Sequence, residues 1–189
     1  MFILLGLGNP GPKYDRTRHN VGFALADLLV ESFPSPGAWK SEGKSLTRKI
    51  QVAGMPVLVA KPQTFMNLSG EAAQSLMAFY KVAPDRLVVV ADDIYLDSGV
   101  LRVRPLGGHG GHNGLRNLID HLGEGFTRIR IGVGPCPPDQ DKSDFVLRRY
   151  GVDEEKALAG IFSGFPRLIE TGIAKGWDRA ASDFNRPVT

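Results

Sequence analysis

Apolar residues along this chain fall into short unbroken runs and into stripes at helical spacing, and the two alternate. Phe2 to Leu5 is an unbroken run of strand length, and Asn20 to Phe33 repeats apolar residues with the period of a helix. The pattern then predicts strands near Leu46 to Val52 and Val57 to Ala60, turning at Ala53 to Pro56, and a helix from Gly70 to Lys81. Strands follow at Leu87 to Ala91 and Leu101 to Arg104, then a helix at Leu115 to Leu122 and a strand at Arg128 to Val133. Beyond Val152 the chain reads as mostly helical, with an apolar stripe of Ile161, Phe165, Leu168, Ile169 and Ile173. Pro166 fits the start of a helix better than its interior, because it lacks an amide hydrogen and crowds the preceding turn. Pro34 to Gly43 and Pro135 to Lys142, rich in Pro, Gly, Ser and charge, read as mobile loops.

This order predicts an α/β fold: a single-domain, open, twisted, mixed sheet, mostly parallel and flanked by helices on both faces. The hairpin between Leu46 and Pro62 is what makes the sheet mixed. With 189 residues and 42% hydrophobic content, the chain can bury one good core, so residues 1–189 are expected to form one domain. A lone Cys136 excludes an internal disulfide, and with neither a leader pattern nor a long apolar run the expectation is a cytoplasmic protein without membrane attachment. A net charge of +3 and a pI of about 9.1 suggest a polyanionic partner.

The densest chemistry lies in LGLGNPGPKYDRTRHNVGF, Leu5 to Phe23. Gly6, Gly8 and Gly11 spell a literal dinucleotide fingerprint, but that use needs a helix to begin at the turn, and Pro10, Pro12 and Asp15 to Thr17 extend a loop there instead. Four segments place polar side chains just after predicted strands: Asn9 with His19, Asn67, Asp92 with Asp93, and His112 with Asn113. Were these strands parallel neighbours, their ends would converge on one crevice. A His, an Asp and several carboxamides suit hydrolysis by an activated water: the imidazole takes the proton, the carboxylate fixes its tautomer, and amides stabilise a tetrahedral oxyanion. Each residue also has a plainer reading, Asn9 and Asn67 as caps or turn residues, Asp92 as a turn closer, and His19 as a helix-start residue.

Zinc is poorly served, since His109 and His112 sit in a glycine loop and Cys136 offers no thiolate cluster. Nucleophilic serine or cysteine is equally unsupported: Ser69 belongs to no G-x-S-x-G turn, and Cys136 has no neighbouring His in sequence. Arg102 with Arg104, and Arg128 with Arg130, are each two apart on a strand, so each pair projects from one sheet face, as a solvated edge or as a grip on phosphate.

Three motifs, GLGNPGPKYDRTRHNVG, KPQTFMNLSG, and the stretch from DD through LD.G..R.R to GGHGGHNGLRNLI, resemble bacterial peptidyl-tRNA hydrolase, and the likeness covers essentially the whole chain. The resemblance implies an enzyme that cleaves the ester between a peptide's C-terminal carboxyl and the 3′-terminal ribose of tRNA, recycling tRNA from stalled translation. It implies His19 as general base with Asp92 as its partner, and Asn9, Asn67 and Asn113 holding the peptide, the ribose end and the attacking water. Tyr14, Met66 and His112 would shape the same crevice, and Arg102, Arg104 and Arg130, extended by Lys142, would meet the tRNA 5′-phosphate and acceptor stem. No metal and no nucleotide or other cofactor is implied, and the protein is expected to be a monomer. The chain departs from the family in PCPPDQDK, Pro135 to Lys142, where additional basic residues and a glycine are common.

Overall fold

In the computed structural model, which describes residues 1–185, seven strands form one sheet in the order β2-β3-β4-β1-β5-β7-β6. The centre is parallel: β1 (Phe2–Gly6) lies between β4 (Met55–Pro62) and β5 (Leu87–Asp97), and β5 pairs in parallel with β7 (Thr127–Gly134). Antiparallel strands finish both sides, β3 (Ser45–Val52) and the short β2 (Lys40–Glu42) on one, β6 (Leu101–Arg104) on the other. A strand buried on both faces must be apolar throughout, and β1 is the example. Phe2 and Leu4 enter one core while Ile3 and Leu5 enter the other.

Helices cover both faces. α1 (Val21–Ser32), α5 (Val152–Lys175) and α6 (Trp177–Phe184) pack on the Phe2 and Leu4 side; α2 (Ser69–Tyr80) and α3 (Asn113–Leu122) pack on the Ile3 and Leu5 side. None of the described helices is long and apolar enough to cross a membrane. The glycines after β1 serve packing. A Cβ on Gly6 would lie 2.2 Å from the carbonyl oxygen of Gly22, and one on Gly8 would lie 2.7 Å from the ring of Phe23. They let α1 press onto the strand end, and no α-helix opens at the turn: a 3-10 turn, Pro12–Tyr14, follows it and α1 begins only at Val21.

Four segments differ from the sequence pattern. β5 continues past Ala91 to Asp97 because Asp92 and Asp93 keep pairing with Ile131 and Gly132 of β7, their carboxylates being neutralised by partners described below. Two of the predicted loops hold structure: β2 pairs with β3 inside Pro34 to Gly43, and α4 (Lys142–Val146) begins at the end of the Pro135 stretch, with Asp141 accepting a hydrogen bond from the Asp144 amide as its N-cap. Pro166 lies within α5. Loss of one backbone hydrogen bond there costs about 3 kcal/mol, and the burial of Ile161, Phe165, Leu168 and Ile169 on the sheet outweighs it.

Candidate active site

The loop after β1 returns to α1 through the Asn20 carboxamide, which binds the Asn9 backbone. Asn20 Oδ1 accepts from the Asn9 amide at 2.9 Å and Asn20 Nδ2 donates to the Asn9 carbonyl at 2.9 Å, so the loop is closed on itself. Asn9, nearly buried, then uses its own Oδ1 to accept from the Met66 amide at 2.8 Å, which ties the KPQTFMN turn to the β1 end. Its NH2 group has no partner among the described residues. His19 follows in a short 3-10 turn, Arg18–Asn20, just ahead of α1.

Across the sheet, Asp92 is 2% exposed in the middle of β5, and His19 Nδ1 lies 2.8 Å from its Oδ1 although 73 residues separate the two. His112 Nε2 reaches the same Oδ1 at 2.9 Å, and the two imidazole rings lie 5.1 Å apart between centroids. Burial pushes the Asp92 carboxyl up, but the two facing imidazoles, by charge and by hydrogen bonding, hold it far below the usual carboxylate range. Burial pushes His19 down, and the Asp92 charge and hydrogen bond overcome this, so its value stands above the ordinary 6.5. His19, Asp92 and His112 form a cluster whose candidate ligand atoms lie within 4.8 Å of one another. His19 Nδ1 and His112 Nε2 both lie at hydrogen-bond length from the one carboxylate oxygen, so the cluster is held together by its own hydrogen bonds.

These groups line a cavity of about 750 Å³ with Asn9, Met66, Asn67, Asn113, Arg130 and Lys142. Met66 is buried, its sulfur set against Gly114, while Asn67 and Asn113 stand exposed at the rim. Tyr14 is not among the lining residues; it sits half-buried in the turn before His19, with the Lys13 ammonium over its ring. The convergence of strand ends holds for β1, β4 and β5. It fails for β6, which runs antiparallel to β7, so that Arg104 pairs with Arg128 at the far end. The glycine loop must travel back along the sheet to deliver His112, and it does so against Arg130: a Cβ on Gly110 would lie 2.4 Å from the guanidinium.

Arg102, Arg104, Arg128 and Arg130 line a second pocket of about 440 Å³ beside the first, with Leu106, Gly107 and Asp93. Arg102 faces Arg130 and Arg104 faces Arg128 across the two strands, on one sheet face. Arg130, which borders both pockets, is occupied: Nη1 binds Asp93 Oδ2 at 3.0 Å and Nη2 donates to the Gly108 carbonyl at 2.9 Å. Arg128 is 1% exposed, stacks on Phe126, and has Nε and Nη1 buried without a partner. Burial, then the nearby Arg130 charge, push its guanidinium down to about 10. Lys142 donates to the Tyr95 hydroxyl at 2.9 Å at the mouth of the first cavity.

Sequence reasoning missed Asn20, Arg18 and the cavity-lining Phe65, Tyr95, Arg116 and Leu147. Arg18, beside His19, holds Glu154 in two hydrogen bonds of 2.9 and 2.7 Å and lies over Phe145. The arginine in TRHN is visible in the sequence; its acidic partner 136 residues away is not.

Residues 3–189 match the family model described as peptidyl-tRNA hydrolase. A peptidyl-tRNA hydrolase of Lachnoclostridium phytofermentans is 43% identical over 98% of this chain and 97% of its own length. That of Rhodospirillum centenum is 49% identical over 84% of this chain and 69% of its own. The crystal structure of peptidyl-tRNA hydrolase from Acinetobacter baumannii superposes with a TM-score of 0.93 at 30% identity, covering 99% of this chain and 95% of that one.

Proposed function

The chain belongs to the peptidyl-tRNA hydrolase family and is an enzyme that hydrolyses peptidyl-tRNA, and from that premise we propose that water, activated by His19, attacks the ester joining the peptide to the terminal ribose. The observation that carries this reading is the 2.8 Å contact between His19 Nδ1 and Asp92 Oδ1 at the wall of the cavity. With a proton held on Nδ1, the free lone pair of Nε2 is the one able to take a proton from water. Asp92 stabilises the imidazolium as it forms.

An ester is a reactive acyl donor, so a positioned water, a base and an oxyanion site suffice without a covalent nucleophile or a cofactor. The unpaired NH2 of Asn9 and the rim carboxamides of Asn67 and Asn113 supply donors for the peptide backbone, the ribose end and the attacking water. Backbone recognition accepts any peptide, because every residue presents the same C=O and N–H groups. Met66 and His112 shape the crevice wall, while Tyr14 acts from the edge of the loop.

Arg102, Arg104 and Arg130 receive the 5′-phosphate and acceptor stem, with Lys142 across the cavity mouth. Four guanidiniums around one pocket, one of them buried with Nε and Nη1 unpartnered and only Nη2 donating, to the Glu124 carbonyl at 3.5 Å, support an anion there. The enzyme works as one unit spanning residues 1–189, as a cytoplasmic monomer that returns tRNA from stalled translation. The test is incubation of the protein with purified N-acylaminoacyl-tRNA in chelator and in H2 18O, scoring free tRNA and label in the released carboxylate. Release with one labelled oxygen is expected, with no acyl-protein trapped on quenching. Chelator-sensitive release, or a trapped acyl-protein, would overturn the water mechanism.

A further inference from the structure

His112 touches the catalytic carboxylate and the first turn of α3 at once. Its Nε2 lies 2.9 Å from Asp92 Oδ1, and its Nδ1 accepts from the Leu115 amide at 3.2 Å as the N-cap of α3. An imidazole nitrogen that accepts an amide proton carries no proton itself, so the hydrogen lies on Nε2 and points at the carboxylate. The side chain is 6% exposed, so both contacts are shielded from water. His19 is built the other way round, with Nδ1 toward the carboxylate and Nε2 without a partner among the described residues.

We propose that His112 is a positioning residue, a second N–H donor locked in one tautomer by the α3 N-terminus, which shares the Asp92 charge and thereby sets the proton affinity of His19. The inference rests on the reading of His19 as the base. A carboxylate oxygen that accepts two N–H groups attracts a proton on either imidazole less strongly than one that accepts a single donor. Too basic a His19 would stay protonated at neutral pH and could not accept a proton from water. The same contact fastens the start of α3, and with it Asn113, to the carboxylate.

Other charged groups near the cluster are already occupied or line the cavity without reaching Asp92. Arg18 binds Glu154, Arg130 binds Asp93, and the Tyr150 hydroxyl donates to the Arg18 carbonyl at 3.4 Å. Lys142, bound to the Tyr95 hydroxyl at 2.9 Å, and Arg116, in the first turn of α3, line the same cavity. None of these donates to Asp92 among the described residues, so His112 alone shares the carboxylate with His19.

Two substitutions separate the two bonds. His112→Asn places an oxygen near the Nδ1 position and keeps the cap, but is too short to donate to Asp92. His112→Gln places an NH2 near the Nε2 position and keeps the donor, but loses the cap. In His112→Asn the His19 titration midpoint, read by NMR, is expected to rise by about 0.5 to 1 unit. The acid limb of kcat/KM should rise with it, a loss of about three- to tenfold well below both midpoints. In His112→Gln the midpoint is expected to stay, while Tm falls by about 2 to 4 °C. In the parent protein, 15N spectra at pH 8 should show His112 with its proton on Nε2 and His19 with its proton on Nδ1.

A His112→Asn midpoint equal to the parent's, a Gln variant displaced as far as the Asn one, or a His112 proton on Nδ1 would each overturn the proposal. Should the NMR midpoint move while the kcat/KM limb stays, His112 keeps its role and the assignment of His19 as the base falls.

Discussion

The two neighbouring pockets hold charge in opposite ways. Around Asp92 the negative charge is met by two N–H donors at 2.8 and 2.9 Å, inside a wall fixed by Asn9, Asn20 and the Met66 amide. Around Arg128 and Arg130 positive charge is in excess: Asp93 answers Arg130, and Arg128 has two buried nitrogens unanswered. A site that must hold a base at one protonation state benefits from complete pairing before substrate arrives. One that must attract a polyanion benefits from charge left unpaired until it does, at a cost to the stability of the free protein.

The contrast breaks most visibly at His19. His19→Ala is expected to lower turnover by about two to four orders of magnitude while tRNA affinity and folding change little; single-turnover rates beside filter binding check it, and near-parental turnover would remove His19 as the base. Asp92→Asn also lowers turnover, and moves the acid limb to lower pH, because the charge that raises His19 is gone. The stability that the pair contributes has its own window. Asp92, held low, contributes above the usual carboxylate range and loses that contribution as pH falls through its folded value; His19, held high, contributes below 6.5 and loses it as pH rises through its folded value. Melting of the parent and of Asp92→Asn should therefore differ most near pH 5 to 6, where both contributions are present; the difference should shrink to the Asp92 contribution as pH rises through the folded His19 value, and vanish only as pH falls through the folded Asp92 value.

On the arginine side the expected changes are smaller. Arg102→Ala or Arg104→Ala should reduce the log–log salt slope of tRNA binding by roughly 0.7 to 0.9 each while kcat at saturation stays near the parent value. An unchanged slope would remove that residue from the phosphate footprint. Arg128→Met sharpens the comparison most finely. Removing a buried charge with no carboxylate partner, held only by the 3.5 Å bond from Nη2 to the Glu124 carbonyl, should leave the free protein as stable as before, or more stable by about 1 kcal/mol, and should abolish stabilisation by inorganic phosphate. Marked destabilisation without phosphate would mean that Arg128 serves packing against Phe126.

Much of the frame was legible in the linear pattern. The runs at Phe2, Val57 and Leu87 became β1, β4 and β5 side by side, and the helix starting near Asn20 formed at Val21. The errors share a cause, namely local signals overruled by distant partners. Pro166 is carried inside α5 by the core beneath it, Asp92 and Asp93 stay in a strand because His19, His112 and Arg130 answer them, and Lys40–Glu42 becomes a strand by pairing with β3.

What the chain determined by itself is everything that depends on near neighbours: which runs are strands or helices, where glycines permit a turn, and which side chains have chemical capacity. Tertiary structure decided which of those capacities meet. His19 and Asp92 share a bond across 73 residues, Tyr14 is left off the cavity wall, and His112 arrives by a loop that doubles back from an antiparallel strand. The physical reason is that spacing along a chain fixes direction only within an element, whereas strand order and burial fix the distances between elements, and hydrogen bonds and charge respond to those distances alone.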